Sequence, residues 1–591
     1  MKGVRNRGST HPVGARDRIK GVNVLRTAVT GAAIGLGAAA AALAVGDLVA
    51  AFTGPASAPV LSVGSAAIDL TPTPLKDWAV QHFGTHDKTV LLSGIYATMA
   101  LLAVAAGVLA LRRLWAGVAV FALFAGLGMW AAASRDAALL PSALAGLAGA
   151  GVLVLLVRLA RPGSTRRREP GGPQRTGASA NVAVPRPEGP PLPGAAPSAE
   201  AGPSLVGPPL AGTPRATEAT PPTGTHKPAG PAPRGMGRRG FLVALAATVA
   251  GAAVAETAAR ALTAARYNVA KARAALRLPA PVAALPPVPA AVHPPVAGLS
   301  AFTTPNGDFF RVDTALTLPQ VPPSTWRLRV HGMVDHPVEL SFDDLLRRPL
   351  HELDYTLSCV SNEVGGPYVG TARWLGASLP DLLRAAGVQR GAQQLVGRSA
   401  DGMTIGTPID LLLDGRPALL AVGMNGEPLP VAHGFPCRSL VPGLYGYTSA
   451  TKWLVDLEIT TFAALDPYWV HRGWDRTGLV RTASRIEVPA PFAQVPAGPV
   501  TVAGTAWATH RGVAAVEVRD DGGPWQEARL AADLGPDTWR QWSWTWDATG
   551  QGPHTLEVRA TDGTGAVQPQ TRNPPFPAGA TGWHSTVVTV T

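Results

Sequence analysis

The sequence predicts a multidomain chain made of an all-α transmembrane bundle, an α+β domain and a C-terminal β-sandwich. Three observations carry this reading. Four apolar runs precede residue 160, each long enough to cross a bilayer. A stretch of Pro, Gly, Ala, Ser and Thr without any apolar period follows. Beyond Pro489 the chain turns to short alternating strands separated by Gly, Pro and Asp turns. With 66 Gly, 57 Pro and 46% hydrophobic residues, no single globular class accommodates the composition.

Residues 1–160 are read as a four-helix transmembrane region. The spans are Ala28 to Ala51, Val90 to Leu111, Leu114 to Ala133 and Ala138 to Leu159, and the only acidic residue in the first is Asp47 near its far end. The formal charge of +12 is unevenly placed. Residues 1–26 hold seven Lys/Arg against Asp17, Arg112-Arg113 add two, and 158–240 hold twelve Lys/Arg against four Glu. That distribution marks cytoplasmic flanks and argues against a nucleic-acid-binding surface. Ser134-Arg135-Asp136 and the loop at about 53–88 then lie on the outer side. No predicted span contains a histidine, so a bis-histidine haem within the bilayer has no ligands. His82 and His86 sit in the outer loop, where surface positions are the plainer reading and a metal site the sharper one.

Residues 161–236 read as a disordered Pro-rich cytoplasmic linker. Gly237-Arg238-Arg239-Gly240-Phe241-Leu242 and the apolar run behind it resemble a twin-arginine signal, so 237–265 is expected to be both export signal and fifth transmembrane helix. Residues 266–297, rich in Ala and Pro, are expected to be a tether. Strands and short helices alternate through 298–465, with a serine N-cap at Ser341 and helices near Leu379–Ala386 and Ile409–Leu413. Residues 480–591 carry the sandwich pattern in VTVAGTAW, VAAVEVR, WSWTWDA, HTLEVRATD and STVVTVT.

Candidate chemistry begins at Cys359, one of two cysteines, which exclude a disulfide-rich scaffold. It follows an apolar, β-rich approach and precedes a Gly-Gly-Pro turn. A thiolate at a strand end is a soft metal ligand, but a lone cysteine is as commonly a small buried hydrophobe. Downstream lie His433-Gly434-Phe435-Pro436-Cys437-Arg438, then Val441-Pro442-Gly443-Leu444-Tyr445-Gly446, then Ser449-Ala450-Thr451-Lys452-Trp453. Such alternation of donors and turn glycines suits a phosphate-bearing ligand.

In this order, the Cys359 loop, HGFPCR, VPGLYGY and TKW resemble the molybdopterin-binding domain of the sulfite oxidase family. EVRDDGGPW, WRQW and RATDG resemble the immunoglobulin-like dimerisation domain that follows it, so the resemblance covers residues 298–591. It implies a molybdenum–molybdopterin cofactor with Cys359 as the metal's protein ligand. It also implies His433, Arg438, Ser449 and Lys452 at the pterin phosphate, and Phe310, Arg311 and Asp313 against the pterin. Cys437 is expected merely to pack.

The family's arginines after the ligand cysteine are replaced by Asn362-Glu363-Val364, and its active-site tyrosine by Trp474. Cys359, Asn362, Glu363, Arg472 and Trp474 are therefore the expected catalytic set, and a neutral substrate is favoured over sulfite. The expected function is a membrane-anchored, extracytoplasmic oxidoreductase acting by oxygen-atom transfer on a small molecule, with homodimerisation allowed. Neither Cys-x-x-Cys-His nor iron–sulfur cysteines occur, so electrons must pass to or from a separate cytochrome or quinone. The alternatives are a quinol-linked reductase of sulfoxides or N-oxides, and a non-catalytic membrane-anchored interaction protein that would contain no molybdenum.

Overall fold

A computed structural model describes residues 14–72, 87–135, 137–161 and 238–591, together with Leu75, Trp78, His82 and Phe83. His86, Gly237 and all of the expected linker except Arg161 lie outside the described residues.

The first region contains α1 (Gly14–Thr53), α2 (Pro59–Leu70), α3 (Asp87–Arg112), α4 (Leu114–Ala133) and α5 (Leu140–Ala160). A further long helix, α6, covers Arg238–Tyr267. Five segments, all but α2, are long and apolar enough to cross a membrane. Their close packing is made by small residues. A Cβ on Gly35 would lie 1.8 Å from the carbonyl oxygen of Ala103, and one on Gly107 would lie 2.0 Å from that of Gly31. The backbones of α1 and α3 therefore touch where no side chain fits.

The stretch at about 53–88 is not simply a loop. Twelve of its residues form α2, which opens on Pro59, where a missing N–H costs nothing. At its end Asp69 pairs with Arg135, 3.1 Å away, and its carbonyl accepts from Arg472 Nη2 at 3.0 Å. At the start of α3, Lys88 Nζ lies 2.7 Å from Asp313. The end of α2 and the start of α3 thus both meet the C-terminal half of the chain.

The expected tether is an ordered strap. Helix α7 (Ala270–Ala275) opens it, and Arg273 donates to the carbonyls of Pro428 and Leu429 at 2.6 and 2.8 Å. Leu276 and Leu278 pack on the core of the α+β domain. Farther on, Arg373 donates to the carbonyls of Leu285 and Pro286, and Ala532 of the sandwich donates to Ala291. Proline and alanine supply no period that would reveal such a strap; its partners are distant in sequence.

The α+β domain holds two sheets. In one, β1 (Arg327–Gly332) lies between β2 (Val338–Ser341) and β10 (Leu454–Thr460), and beyond β10 come β5 (Gln394–Ser399) and β6 (Thr404–Pro408). Only β1 and β10 pair in parallel. The other sheet runs β3 (Leu350–Ser358), β4 (Val369–Ser378), β7 (Leu419–Met424) and β8 (Glu427–Pro428), with β9 (Arg438–Leu440) also on β7. Short helices follow the strands. Ser341 caps Phe342–Leu346 in a reciprocal box with Asp344, and Ser378 caps Leu379–Ala386. Leu328, Leu345, Leu383, Leu420 and Leu457 fill the core, where Cys437 is fully buried among them. Burial pushes its thiol far up, so it packs as a small hydrophobe.

The C-terminal sandwich closes over Trp542, Val516, Leu556 and Val588 between a four-stranded and a five-stranded sheet. It also backs the Cys359 loop. Thr356 N–H donates to Asp537, and Trp539 N–H returns to the Thr356 hydroxyl at 2.7 Å.

Candidate functional site

Strand β3 delivers Cys359 to the start of a tight return. The Cys359 N–H donates to the Tyr368 carbonyl at 2.9 Å, and the Asn362 side-chain oxygen accepts from Tyr368 N–H at 2.8 Å. Gly365 takes φ +79° in this return, a conformation strained for any other residue here, because a Cβ would strike His584 of the sandwich. The Cys359 sulfur, 2.9 Å from the Ser361 hydroxyl, lines a pocket enclosing about 940 Å³ of space, part of it open to solvent. Burial pushes the thiol above its ordinary value, so a metal binding here must displace a proton.

A cationic group lines the same pocket. Arg438, on β9, is 4% exposed and donates Nη1 to the His433 carbonyl at 3.1 Å. Its Nε has no partner, and no carboxylate pairs with it among the described residues. Its guanidinium instead lies 5.2 Å from the centre of the Trp374 ring. Burial lowers its pKa to about 10, still charged at neutral pH. A buried cation without a counter-ion is costly, and an anionic ligand would relieve it.

Lys452 Nζ sits 2.6 Å from Asp313. Burial, against the attraction of Asp313, lowers the lysine to about 8. Burial disfavours the charge of Asp313, yet Lys452, Arg311 and Lys88 hold its carboxyl far below the carboxylate range. His433 is pushed down to about 4 by burial and by Arg438, so it is neutral at pH 7. Its Nε2 lies 3.1 Å from the Asn306 carbonyl, which makes that nitrogen the protonated one. Gly434 lets the His433 turn press on Lys452: a Cβ there would lie 3.1 Å from Lys452 Cα, at φ +110°.

Of the expected residues, Cys359, Phe310, Asp313, His433, Arg438, Lys452 and Trp474 line this one pocket. The others do not. Ser449 is fully buried and donates its hydroxyl back to the carbonyls of Leu444 and Tyr445 at the start of its own short helix. Arg311 is not part of the lining and pairs with Asp313 at 2.7 Å. Asn362 shapes the cysteine loop, and Glu363 is exposed beside a smaller neighbouring cavity. Arg373, a conceivable partner for Glu363, pairs with Asp354 instead. Arg472 is spent on Asp69 and on the face of Tyr468, 3.5 Å from the ring centre.

Sequence reasoning missed part of the wall. Val360, Met403, Ile405, Tyr447 and Trp469 line the pocket with Trp474, whose buried indole N–H has no partner. Tyr447 closes the VPGLYGY stretch and Trp469 stands close in sequence to Arg472 and Trp474, whereas Met403, just before β6, and Ile405, within it, carry no chemical signal.

The family described as "Oxidoreductase molybdopterin binding domain" matches residues 315–469, and "Bacterial Ig domain" matches 484–558. Sulfite oxidase of Gallus gallus is 35% identical over 322 residues, 46% of this chain and 69% of that protein. The mitochondrial sulfite oxidase of Mus musculus is 33% identical over 48% of this chain, which spans only 60% of that relative. An uncharacterised oxidoreductase, YuiH of Bacillus subtilis, is 35% identical over 26% of this chain and 74% of its own. Among solved structures, the sulfane dehydrogenase SoxCD of Paracoccus pantotrophus aligns at 25% identity with a TM-score of 0.43, covering 49% of this chain and 84% of that one.

Proposed function

The chain belongs to the sulfite oxidase family of molybdopterin-dependent oxidoreductases, and from that premise we propose a membrane-anchored enzyme that transfers oxygen atoms on a small substrate outside the cytoplasm. The observation that carries this reading is the pocket shared by the Cys359 thiol and the unpaired, buried Arg438 guanidinium. That donor set fits a soft metal at one point and an anionic group at another. When bound, the molybdenum cofactor supplies the two-electron redox change and the exchange of one oxygen atom.

The residues have distinct tasks in this reading. Cys359 is the metal's thiolate ligand. Arg438 and Lys452 hold the cofactor's phosphate, and neutral His433 orients that end through Asn306. Phe310, stacked on Phe309 with ring centres 5.2 Å apart, forms an apolar wall. Trp469, Trp474, Met403 and Ile405 add to the apolar wall of the pocket.

Glu363 is exposed and outside the pocket lining, so its carboxylate does not set the substrate's charge. Beyond Arg438 and Lys452, no cationic side chain lines the pocket among the described residues, and Arg472 is engaged elsewhere. A neutral oxygen-atom donor or acceptor, such as a sulfoxide or N-oxide, therefore suits it better than sulfite. Electrons come from or go to a separate carrier, a cytochrome or quinone. Self-association through residues 480–591 completes the proposal, to be read from the mass of the purified protein.

The orientation rests on charge and parity. The basic flanks face inward, and the outer loops touch the catalytic half at Lys88 and Asp69. Molybdenum and pterin analysis of the purified full chain tests the cofactor reading; a protein expressed with cofactor supply yet free of both would sink it. Steady-state kinetics on a sulfoxide, an N-oxide and sulfite then test the substrate class. Efficient turnover of sulfite alone would refute the neutral-substrate reading.

A further inference from the structure

We infer that Lys88, at the outer end of a membrane helix, is a positioning residue of the cofactor site. The inference rests on the assignment of Lys452 and Arg438 to the cofactor's phosphate. Asp313 is the shared counter-ion of three cations from three parts of the chain. Its Oδ1 takes Lys88 Nζ at 2.7 Å, and its Oδ2 takes Lys452 Nζ at 2.6 Å and Arg311 Nε at 2.7 Å. Lys88 Nζ also donates to the Ala315 carbonyl at 2.8 Å, which fixes the lysine beside the segment that lines the pocket. The Asp313 side chain is 6% exposed and Lys452 11%, so the contest for this carboxylate takes place largely out of water.

By drawing on Oδ1, Lys88 weakens the hold of Asp313 on Lys452 and frees that ammonium for a phosphate. Lys88 does not itself line the pocket; it acts through Asp313. The bundle therefore contributes a charge to the cofactor site as well as an anchor.

The test uses the full chain in detergent or nanodiscs and reads pterin retained after washes at rising salt. Four variants are compared with wild type: Lys88→Gln, Lys88→Arg, Lys452→Ala and Asp69→Asn. Asp69 joins the same two regions but makes no contact with Asp313, so it reports docking alone. Lys88→Gln is expected to release pterin roughly threefold faster, the size of a weak ion-pair effect exerted through Asp313, with Lys88→Arg restoring retention and Asp69→Asn leaving it unchanged. A loss in Lys452→Ala with none in Lys88→Gln would overturn the role of Lys88 while leaving the phosphate assignment intact. Equal losses in Lys88→Gln and Asp69→Asn would reduce Lys88 to a docking contact and overturn the inference. If neither Lys452→Ala nor Lys88→Gln changed retention, the phosphate assignment and the inference would fall together.

Discussion

Replacing Cys359 by serine keeps the size of the side chain but removes a soft ligand, so turnover should fall by at least about a hundredfold while stability changes by less than about 1 kcal/mol. Activity and thermal unfolding, measured on the same preparation, check both halves of that expectation. Lys452 makes a second prediction, through pH. Its ammonium, lowered to about 8 by burial, is charged below that pH and neutral above it. Binding of inorganic phosphate to cofactor-free protein should therefore weaken as pH rises through about 8, and Lys452→Arg should remove that step. Titration calorimetry across pH 7–9.5 reads it. Cys359, His433, Arg438 and Lys452 were legible in the sequence because each stands in a short motif whose spacing fixes its neighbours. Ser449, Glu363 and Arg472 stand in equally suggestive motifs but face elsewhere. Their directions depend on Leu444, on solvent and on Asp69, none of which a local pattern reveals.

The long apolar helices could be read directly, since length and hydropathy alone define a span. Helix α2 could not: at twelve residues it is too short to cross, and it owes its place to contacts such as that of Gly64 with Leu316. The α1–α3 seam yields a prediction at this scale. Gly35→Leu would drive a side chain into the backbone of Ala103, separate the helices, and cost about 1–3 kcal/mol. A lower midpoint of thermal unfolding in detergent, with Gly94→Leu on open surface as the silent control, checks it. The β-rich approach to Cys359, the Ser341 cap and the sandwich strands were all visible as period and cap. The strap was not, because Arg273 and Arg373 pin it through carbonyls that any sequence would offer.

For the whole molecule, reporter fusions in the 134–137 loop and at the C-terminus should report the same, outer side, and a fusion within 162–235 the inner side. Opposite sides for the first two would refute the five-span arrangement. Replacing Arg238-Arg239 by Lys-Lys should leave the catalytic half inside while the first four spans insert normally. The strap described above also bears on what happens if the chain is cut near Ala255, where the sequence resembles a peptidase site. The strap would stay on the catalytic body, and docking onto the bundle would change from an intramolecular event to an encounter between two molecules. An uncut chain holds its partner surface at a raised effective concentration, set by the residues 161–236 that join α5 to α6. After cutting, non-covalent contacts such as those of Lys88 and Asp69 would have to supply the affinity. Occupancy would then fall on dilution and with added salt, so retention of the catalytic half by washed membranes measures the integrity of a single peptide bond.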